Sequence, residues 1–131
     1  MQVEFWKSDK GRSPALDFIE SLDDAVQEKI YDDLETTQQA EPGVLISSRL
    51  LEKVQGKASK HKLYETKTKY DGMEYRLTGR MSGGKLVVVD GFIKKDQKTP
   101  QRYIDRAIRR AIIVEEEERV EQKRKKDNTK Q

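Results

Sequence analysis

The chain has 131 residues, 34% hydrophobic and 39% charged, so the sequence predicts one domain with a modest core and some solvated, charged chain outside it. The absence of cysteine excludes disulfides and thiolate metal sites, and a single histidine, His61, argues against a histidine-ligated metal. No apolar run approaches the roughly 20 residues that span a bilayer, and residues 1–6 lack a secretion signal, so we expect a cytoplasmic protein. No cofactor is expected.

The charges are distributed unevenly along the chain. Residues 1–56 carry 6 basic and 12 acidic side chains, residues 57–98 carry 11 and 5, and residues 99–131 carry 10 and 7. The net charge of +3 therefore conceals an acidic first part and a basic middle. A polyanion would be attracted to the middle of the chain. A solubilising mixture of surface charges is the alternative explanation.

The first part of the chain predicts a short strand and then two helices. Apolar and aromatic residues indicate a strand over residues 3–7. Ser13-Pro14 combines a capping hydroxyl with proline at the first helical position, which is typical of a helix start. Apolar residues then recur at helical spacing over residues 13–41. Four residues of the ambiguous stretch that follows are expected to reach the core: Leu45, Leu50, Leu51 and Val54.

The middle of the chain predicts an antiparallel β-meander over residues 61–95. Asp71-Gly72 is a strong signal for a two-residue hairpin turn, in which both residues need positive φ. Gly83-Gly84 marks a second turn, and the apolar run at residues 86–89 is typical of a strand buried on both faces. A terminal helix is then expected from Pro100, which follows a capping threonine.

The predicted fold class is α+β, with two N-terminal helices packed on a small antiparallel meander and a C-terminal helix. We expect a domain over residues 1–112. The apolar pattern is lost after Val114, so residues 113–131 are expected to form a charged helical extension or tail.

The hairpin register divides the side chains between two surfaces. Counting outwards from Asp71-Gly72 places Lys67 opposite Arg76. One surface is expected to pack against the helices, and it collects Tyr64, Tyr70, Tyr75, Leu77 and Met81. The other is expected to be open, and it collects Glu65, Lys67, Lys69, Glu74, Arg76 and Arg80.

Two cations placed opposite each other repel, and a bound anion would relieve that repulsion. The end of the next strand adds Lys94, Lys95 and Lys98, but the register leaves open whether Lys94 or Lys95 faces the cluster. Such a cluster could hold the phosphates beside a scissile bond, stabilise charge on the phosphorane and transfer a proton. As an alternative, Glu65 and Glu74 would neutralise the cations in a surface ion lattice.

Three stretches resemble the phage-derived HigB-like branch of the RelE/HigB superfamily of type II toxins: KLYETK at 62–67, YR at 75–76 and GFIKKDQKTP at 91–100. The resemblance covers residues 2–112. It implies a RelE-like fold and a metal-independent, ribosome-dependent mRNA endonuclease that inhibits translation, with the RNA 2′-hydroxyl as nucleophile. Together with the charge pattern of the sheet, the resemblance gives the candidate catalytic residues Arg76, Lys67, Lys95 and Lys94 and the candidate RNA-binding residues Lys69, Arg80, Lys98 and Tyr103. Replacing Arg76 by alanine is then expected to remove most of the activity without loss of the fold.

The resemblance also implies the partners, which are mRNA, the ribosome and a cognate helix-turn-helix (HigA-like) antitoxin. The toxin–antitoxin complex is expected to be a higher oligomer, with no membrane involved. Because such an antitoxin keeps a basic face for DNA, the acidic helices at 13–41 are the expected docking surface. The alternative function is a noncatalytic interaction module on the same fold, or a topoisomerase-poisoning relative.

Overall fold

The computed structural model describes residues 1–129, which form one five-stranded sheet with helices on both faces. The strands are Gln2–Phe5 (β1), Leu51–Lys53 (β2), Leu63–Tyr70 (β3), Met73–Ser82 (β4) and Lys85–Lys94 (β5). The helices are Pro14–Glu20 (α1), Asp24–Gln39 (α2), Pro42–Ser47 (α3) and Gln101–Thr129 (α4), with a 3-10 helix at Gly56–His61. The strand order is β1-β5-β4-β3-β2, and the predicted α+β class is confirmed.

The N-terminal helices begin where their capping signals predict, and they cover one face of the sheet. Ser13 Oγ accepts a hydrogen bond from the Leu16 backbone N–H at 3.2 Å, and Pro14 opens α1. Buried residues of both helices share one core with β4 and β5: Ala15, Ile19, Val26, Ile30, Leu34, Tyr75, Leu77, Leu86 and Val88. Phe18 of α1 lies so close to β5 that a Cβ added at Gly91 would meet it at 2.4 Å. This helix and strand therefore approach each other only because position 91 has no side chain.

The β3–β4 hairpin has the predicted register. Asp71 and Gly72 have φ values of 48° and 76°, as a two-residue turn of this kind requires. Lys67 pairs with Arg76, and Lys69 pairs with Glu74. The turn sequence alone therefore determined which residues face each other across these strands.

The sheet also contains features that the sequence did not predict. β1 pairs in parallel with β5, and β2 adds an antiparallel edge beside β3, so the meander forms only the centre of the sheet. Leu45, Leu51 and Val54 are buried as expected. Leu50 is 43% exposed and Tyr70, beside the hairpin turn, is 40% exposed, so the expectation that these two pack in the core is wrong.

α4 covers the opposite face of the sheet. Ala107, Ala111 and Val114 pack there against Val87 and Val89. The helix runs unbroken across the expected domain boundary after residue 112, and residues 119–128 are exposed. The predicted extension is thus helical as far as the structure describes it, and its last two residues lie outside the described part. In residues 1–129, no helix is both long and apolar enough to cross a membrane.

Candidate active site

Lys67 and Arg76 lie side by side on the face that α4 shares, away from the N-terminal helices. Tyr75 and Leu77 point into the core with those helices, so alternation along β4 directs Arg76 to the other face. Phe92, which pairs with Arg76 from β5, stacks there on Tyr103 of α4. The predicted juxtaposition of the two cations is confirmed.

Carboxylates surround Arg76, which is only 2% exposed. Its Nη1 lies 3.2 Å from both Glu52 Oε2 and Glu65 Oε2, and its Nη2 lies 3.3 Å from Glu74 Oε2. Lys67 Nζ lies 2.6 Å from Glu52 Oε1 and 4.0 Å from Glu74 Oε1. The expectation of an open cationic surface is therefore wrong for this pair, and the alternative of an ion lattice is confirmed.

Glu52 is the member of this cluster that the sequence reasoning missed. It lies on β2 and pairs with Glu65 across the β2–β3 ladder. Two carboxylates placed side by side repel, and Arg76 Nη1 relieves the repulsion by contacting both. The only local sign of a strand at β2 is the apolar Leu51 followed by polar residues. Alternation over three residues is too short to distinguish a strand from other structure.

The two carboxyls that flank Arg76 Nη1 differ in their acidity. Burial raises the pKa of Glu65 above its ordinary value of 4.5, opposed by Arg76, by Lys94 and by the Thr99 hydroxyl that donates to Glu65 Oε1 at 3.3 Å. The hydrogen bond from Lys67 is the main cause that lowers the pKa of Glu52. Neighbouring carboxyls whose environments push their pKa values apart are suited to separate acid and base roles.

Arg76 is not fully satisfied in this network. Its Nε is buried and finds no hydrogen-bond acceptor anywhere in residues 1–129. A buried donor without a partner costs about 1–3 kcal/mol. The Nη atoms, in contrast, contact all three glutamates and so hold them together around Arg76.

Arg80, a predicted RNA-binding residue, is withdrawn from solvent by α4. Its guanidinium pairs with Glu115 and Glu118 at 3.2 Å and donates to the His61 carbonyl at 2.9 Å. His61 Nδ1 also lies 2.7 Å from Glu115 Oε1. The expectation that Arg80 faces an open surface is wrong, because the terminal helix docks over this end of the strand.

The remaining predicted lysines divide into Lys94, which faces the ion lattice, and three exposed lysines. Lys94 pairs with Glu74 across β4 and β5 and lies two residues after Phe92, on the same face of β5, so Lys94 is the lysine that faces the cluster. Lys95 follows the end of β5 and is exposed, as are Lys69 and Lys98. These three lysines make no ion pair within the described chain. The structure brings Lys67, Arg76 and Lys94 together and leaves the other three accessible.

Tyr103 contributes to the attachment of α4. Its ring stacks on Phe92 with centroids 4.7 Å apart, and the guanidiniums of Arg102 and Arg106 lie 4.8 and 5.1 Å from its centroid. Arg106 also pairs at 2.6 Å with Asp90, a buried β5 residue that the sequence reasoning did not select. Tyr103 is therefore a packing residue in this structure, at the edge of the cluster.

The fold and this face define a small α+β protein in which the central hairpin and β2 carry a largely buried cluster of paired carboxylates and cations. A comparison with protein-family models matches residues 17–111 to the phage derived protein Gp49-like family (DUF891). That match covers more than half of the chain, so the protein belongs to this family, which is a toxin-like one. A search of curated proteins found no match.

Proposed function

We propose that this protein is the toxin of a type II toxin–antitoxin system, in the phage-derived HigB-like branch of the RelE/HigB superfamily, and that it cleaves mRNA on the ribosome. The observation that carries the proposal is the cluster of Glu65, Lys67 and Arg76 on the hairpin of a toxin-like fold. It combines a carboxyl of raised pKa, which can transfer a proton, with two cations, which can stabilise the charge on a phosphorane. Phosphodiester cleavage without a metal can use these two kinds of group.

In this mechanism the RNA 2′-hydroxyl attacks the adjacent phosphorus. A carboxylate accepts the hydroxyl proton, the O2′–P bond forms, the P–O5′ bond breaks, and the departing oxygen takes a proton from an acid. Glu65 and Glu52 are the candidate acid–base groups, because their pKa values are pushed in opposite directions. Lys67 and Lys94 would stabilise the charge that develops on the phosphorane oxygens.

Arg76 acts through its neighbours in this proposal. A guanidinium that is 2% exposed does not reach a phosphate unless a carboxylate leaves it. Its role is to hold Glu52 and Glu65 at 3.2 Å, and the predicted direct contacts to RNA pass to three exposed lysines, Lys69, Lys95 and Lys98. Lysine is a point charge, so we expect attraction along the backbone and no bidentate recognition.

Substitutions at Glu65 test the proposed activity. Induced expression of the native protein should arrest growth, and the purified protein should cut mRNA on translating ribosomes. Loss of a general base or acid lowers the rate by about 10²–10⁴, so Glu65→Gln should cleave far more slowly. Lys10→Ala, at an exposed position in the Ser8–Arg12 turn, is the control and should retain activity. Native-like cleavage by a folded Glu65→Gln protein would exclude the proposed role.

A noncatalytic role is the second candidate, and the ion lattice favours it. Three carboxylates neutralise Arg76 and Lys67 through ion pairs, and these ion pairs could serve stability alone. In that case the fold would act as an interaction module or as a relative of topoisomerase poisons. Growth arrest with intact mRNA on ribosomes and inhibited supercoiling by purified gyrase would favour this second function.

The proposed partner is a helix-turn-helix antitoxin that docks on α2. Four exposed carboxylates lie at helical spacing along the outer face of this helix: Asp24, Glu28, Asp32 and Glu35. Their like charge would attract the basic face of a DNA-binding protein. The bound antitoxin would then inhibit sterically, because the complex would be too large for the ribosomal A site, and the Lys67–Arg76 cluster would stay uncovered.

A further inference from the structure

A groove of about 530 Å³ runs between α2, the end of α3 and the outer edge of β3. We name it the β3-edge groove. Its charged lining consists of four cations and one anion: Lys29, Arg49, Lys67, Lys69 and Asp33. Lys29 pairs with Asp33 at 2.8 Å, and Lys67 belongs also to the candidate active site. The groove is therefore cationic and opens directly beside the ion lattice.

Arg49 is the unusual residue of this groove. Its φ is 63°, in the left-handed region that glycine normally supplies after a helix end. An L-residue other than glycine, asparagine or aspartate pays about 1–2 kcal/mol for this conformation. Arg49 is exposed, and its guanidinium makes no hydrogen bond or ion pair with any described residue. The position thus carries a strained, unneutralised cation where glycine would be more favourable.

The strand edge in the groove is partly uncovered. β2 pairs with β3 only at residues 64–66, so the following part of β3 has no strand beside it on this side. Lysines on an exposed edge discourage pairing with other chains, and that accounts for Lys67 and Lys69. It does not account for Arg49, which lies across the groove after α3.

We infer that the β3-edge groove binds the phosphate backbone of single-stranded RNA next to the cleaved segment, with Arg49 and Lys69 as its principal contacts. This inference rests on the proposed function, because Lys67 links the groove to the candidate active site. Hydroxyls of Thr36, Thr37 and Ser48 donate to carbonyls of their own helices, so the cations dominate recognition. Leu50 is the only exposed apolar residue of the lining, which favours a polyanion over a peptide with apolar side chains.

The test compares two substitutions that each remove one positive charge and place glycine at a position of positive φ. Arg49→Gly removes the groove cation and relieves the left-handed strain. Lys62→Gly does the same outside the groove, at an exposed lysine with φ of 55°. Both variants should melt at or above the temperature of the native protein, so a change in binding does not reflect unfolding.

Binding of the intact protein to a labelled, 2′-O-methylated 12-nucleotide RNA, which cannot be cleaved, is measured by fluorescence anisotropy over a range of salt. Arg49→Gly should bind about tenfold more weakly, as expected for one charged contact, and should lower the salt slope by about 0.7. Lys62→Gly should bind like the native protein. Equal binding by the native and Arg49→Gly proteins, or no RNA binding by the native protein, would overturn the inference.

Two further measurements separate the possible failures. If a 12-residue polyglutamate peptide binds in an Arg49-dependent way and the RNA does not, the groove docks protein and the inference is wrong. Cleavage on translating ribosomes is assayed independently with the native protein. If RNA binding depends on Arg49 but no cleavage is observed, the proposed endonuclease activity is wrong and the groove is still an RNA-binding site.

Discussion

Replacing Arg76 by alanine should destabilise the protein in a way that depends on pH. The substitution removes the cation that contacts Glu52, Glu65 and Glu74 and leaves their charges uncompensated. The side chains of Glu52 and Glu74 are 38% and 22% exposed, so water screens them, whereas that of Glu65 is 7% exposed. Breaking a buried pair at one partner costs about 3–5 kcal/mol, and Glu65 accounts for most of that cost here.

The pH dependence follows from Glu65. Its pKa is already raised by burial above 4.5, and loss of Arg76 removes the strongest opposing influence, so its pKa rises further in the variant. A folded state that binds a proton more tightly than the unfolded state gains stability as the pH falls. The stability deficit of Arg76→Ala should therefore be largest near neutral pH and shrink as the pH falls through the raised pKa towards 4.5.

Urea unfolding followed by circular dichroism, at pH 7 and at pH 4.5, measures this effect. Lys69→Ala removes an exposed cation from the same hairpin and should change stability by less than about 0.5 kcal/mol at either pH. A deficit below about 1 kcal/mol for Arg76→Ala, or one that does not shrink in acid, would refute the claim that the guanidinium neutralises a buried carboxylate. The burial of Arg76 thus changes the sequence-based expectation that its alanine variant keeps a native-like fold.

Three further outcomes are expected. Gly91→Ala should cost about 1–3 kcal/mol in unfolding free energy because its Cβ would meet Phe18, whereas Gly43→Ala, which meets no atom within 4 Å, should not destabilise the protein. Purified protein should cleave free RNA poorly compared with mRNA on ribosomes, and efficient cleavage without ribosomes would contradict this. Reversing the α2 charges (Asp24, Glu28, Asp32 and Glu35 to lysine) should slow association with the proposed antitoxin, which is to be sought in the adjacent gene, most strongly at low salt. If instead Lys67 substitutions abolish that association, the antitoxin covers the cluster.

The sequence predicted the pairings that depend on neighbouring residues. Asp71-Gly72 determines a two-residue turn, and the side-chain alternation of two strands then places Lys67 opposite Arg76 without any knowledge of the remaining fold. The helix starts at Ser13-Pro14 and after Pro100 were predictable for the same reason, since capping involves only the first turn.

The environment of those residues was not predictable, because it depends on distant parts of the chain. Glu52 approaches Arg76 from 24 residues earlier, through a strand too short to be recognised. Glu118 approaches Arg80 from 38 residues later, because α4 turns back over the sheet. A cationic residue on a strand gives no local sign of the carboxylates that will meet it. The sequence therefore predicted that Lys67 and Arg76 lie opposite each other, but it missed Glu52 and overestimated the openness and the positive charge of this face.

The ion lattice offers a physical reason for the ribosome dependence that we propose. A phosphate that enters this face meets cations already paired with Glu52, Glu65 and Glu74, and its charge adds to theirs. The Thr99 hydroxyl also donates a hydrogen bond to Glu65 Oε1, and a substrate that contacts this oxygen directly must replace that bond. Both costs oppose cleavage of a freely diffusing RNA. On the ribosome, the mRNA is already ordered and the toxin is held by a larger surface, so binding energy from elsewhere can offset the displaced ion pairs. The ion pairs of Arg76 and Lys67 with the three glutamates would then both stabilise the sheet and keep the protein inactive towards RNA that is not on the ribosome.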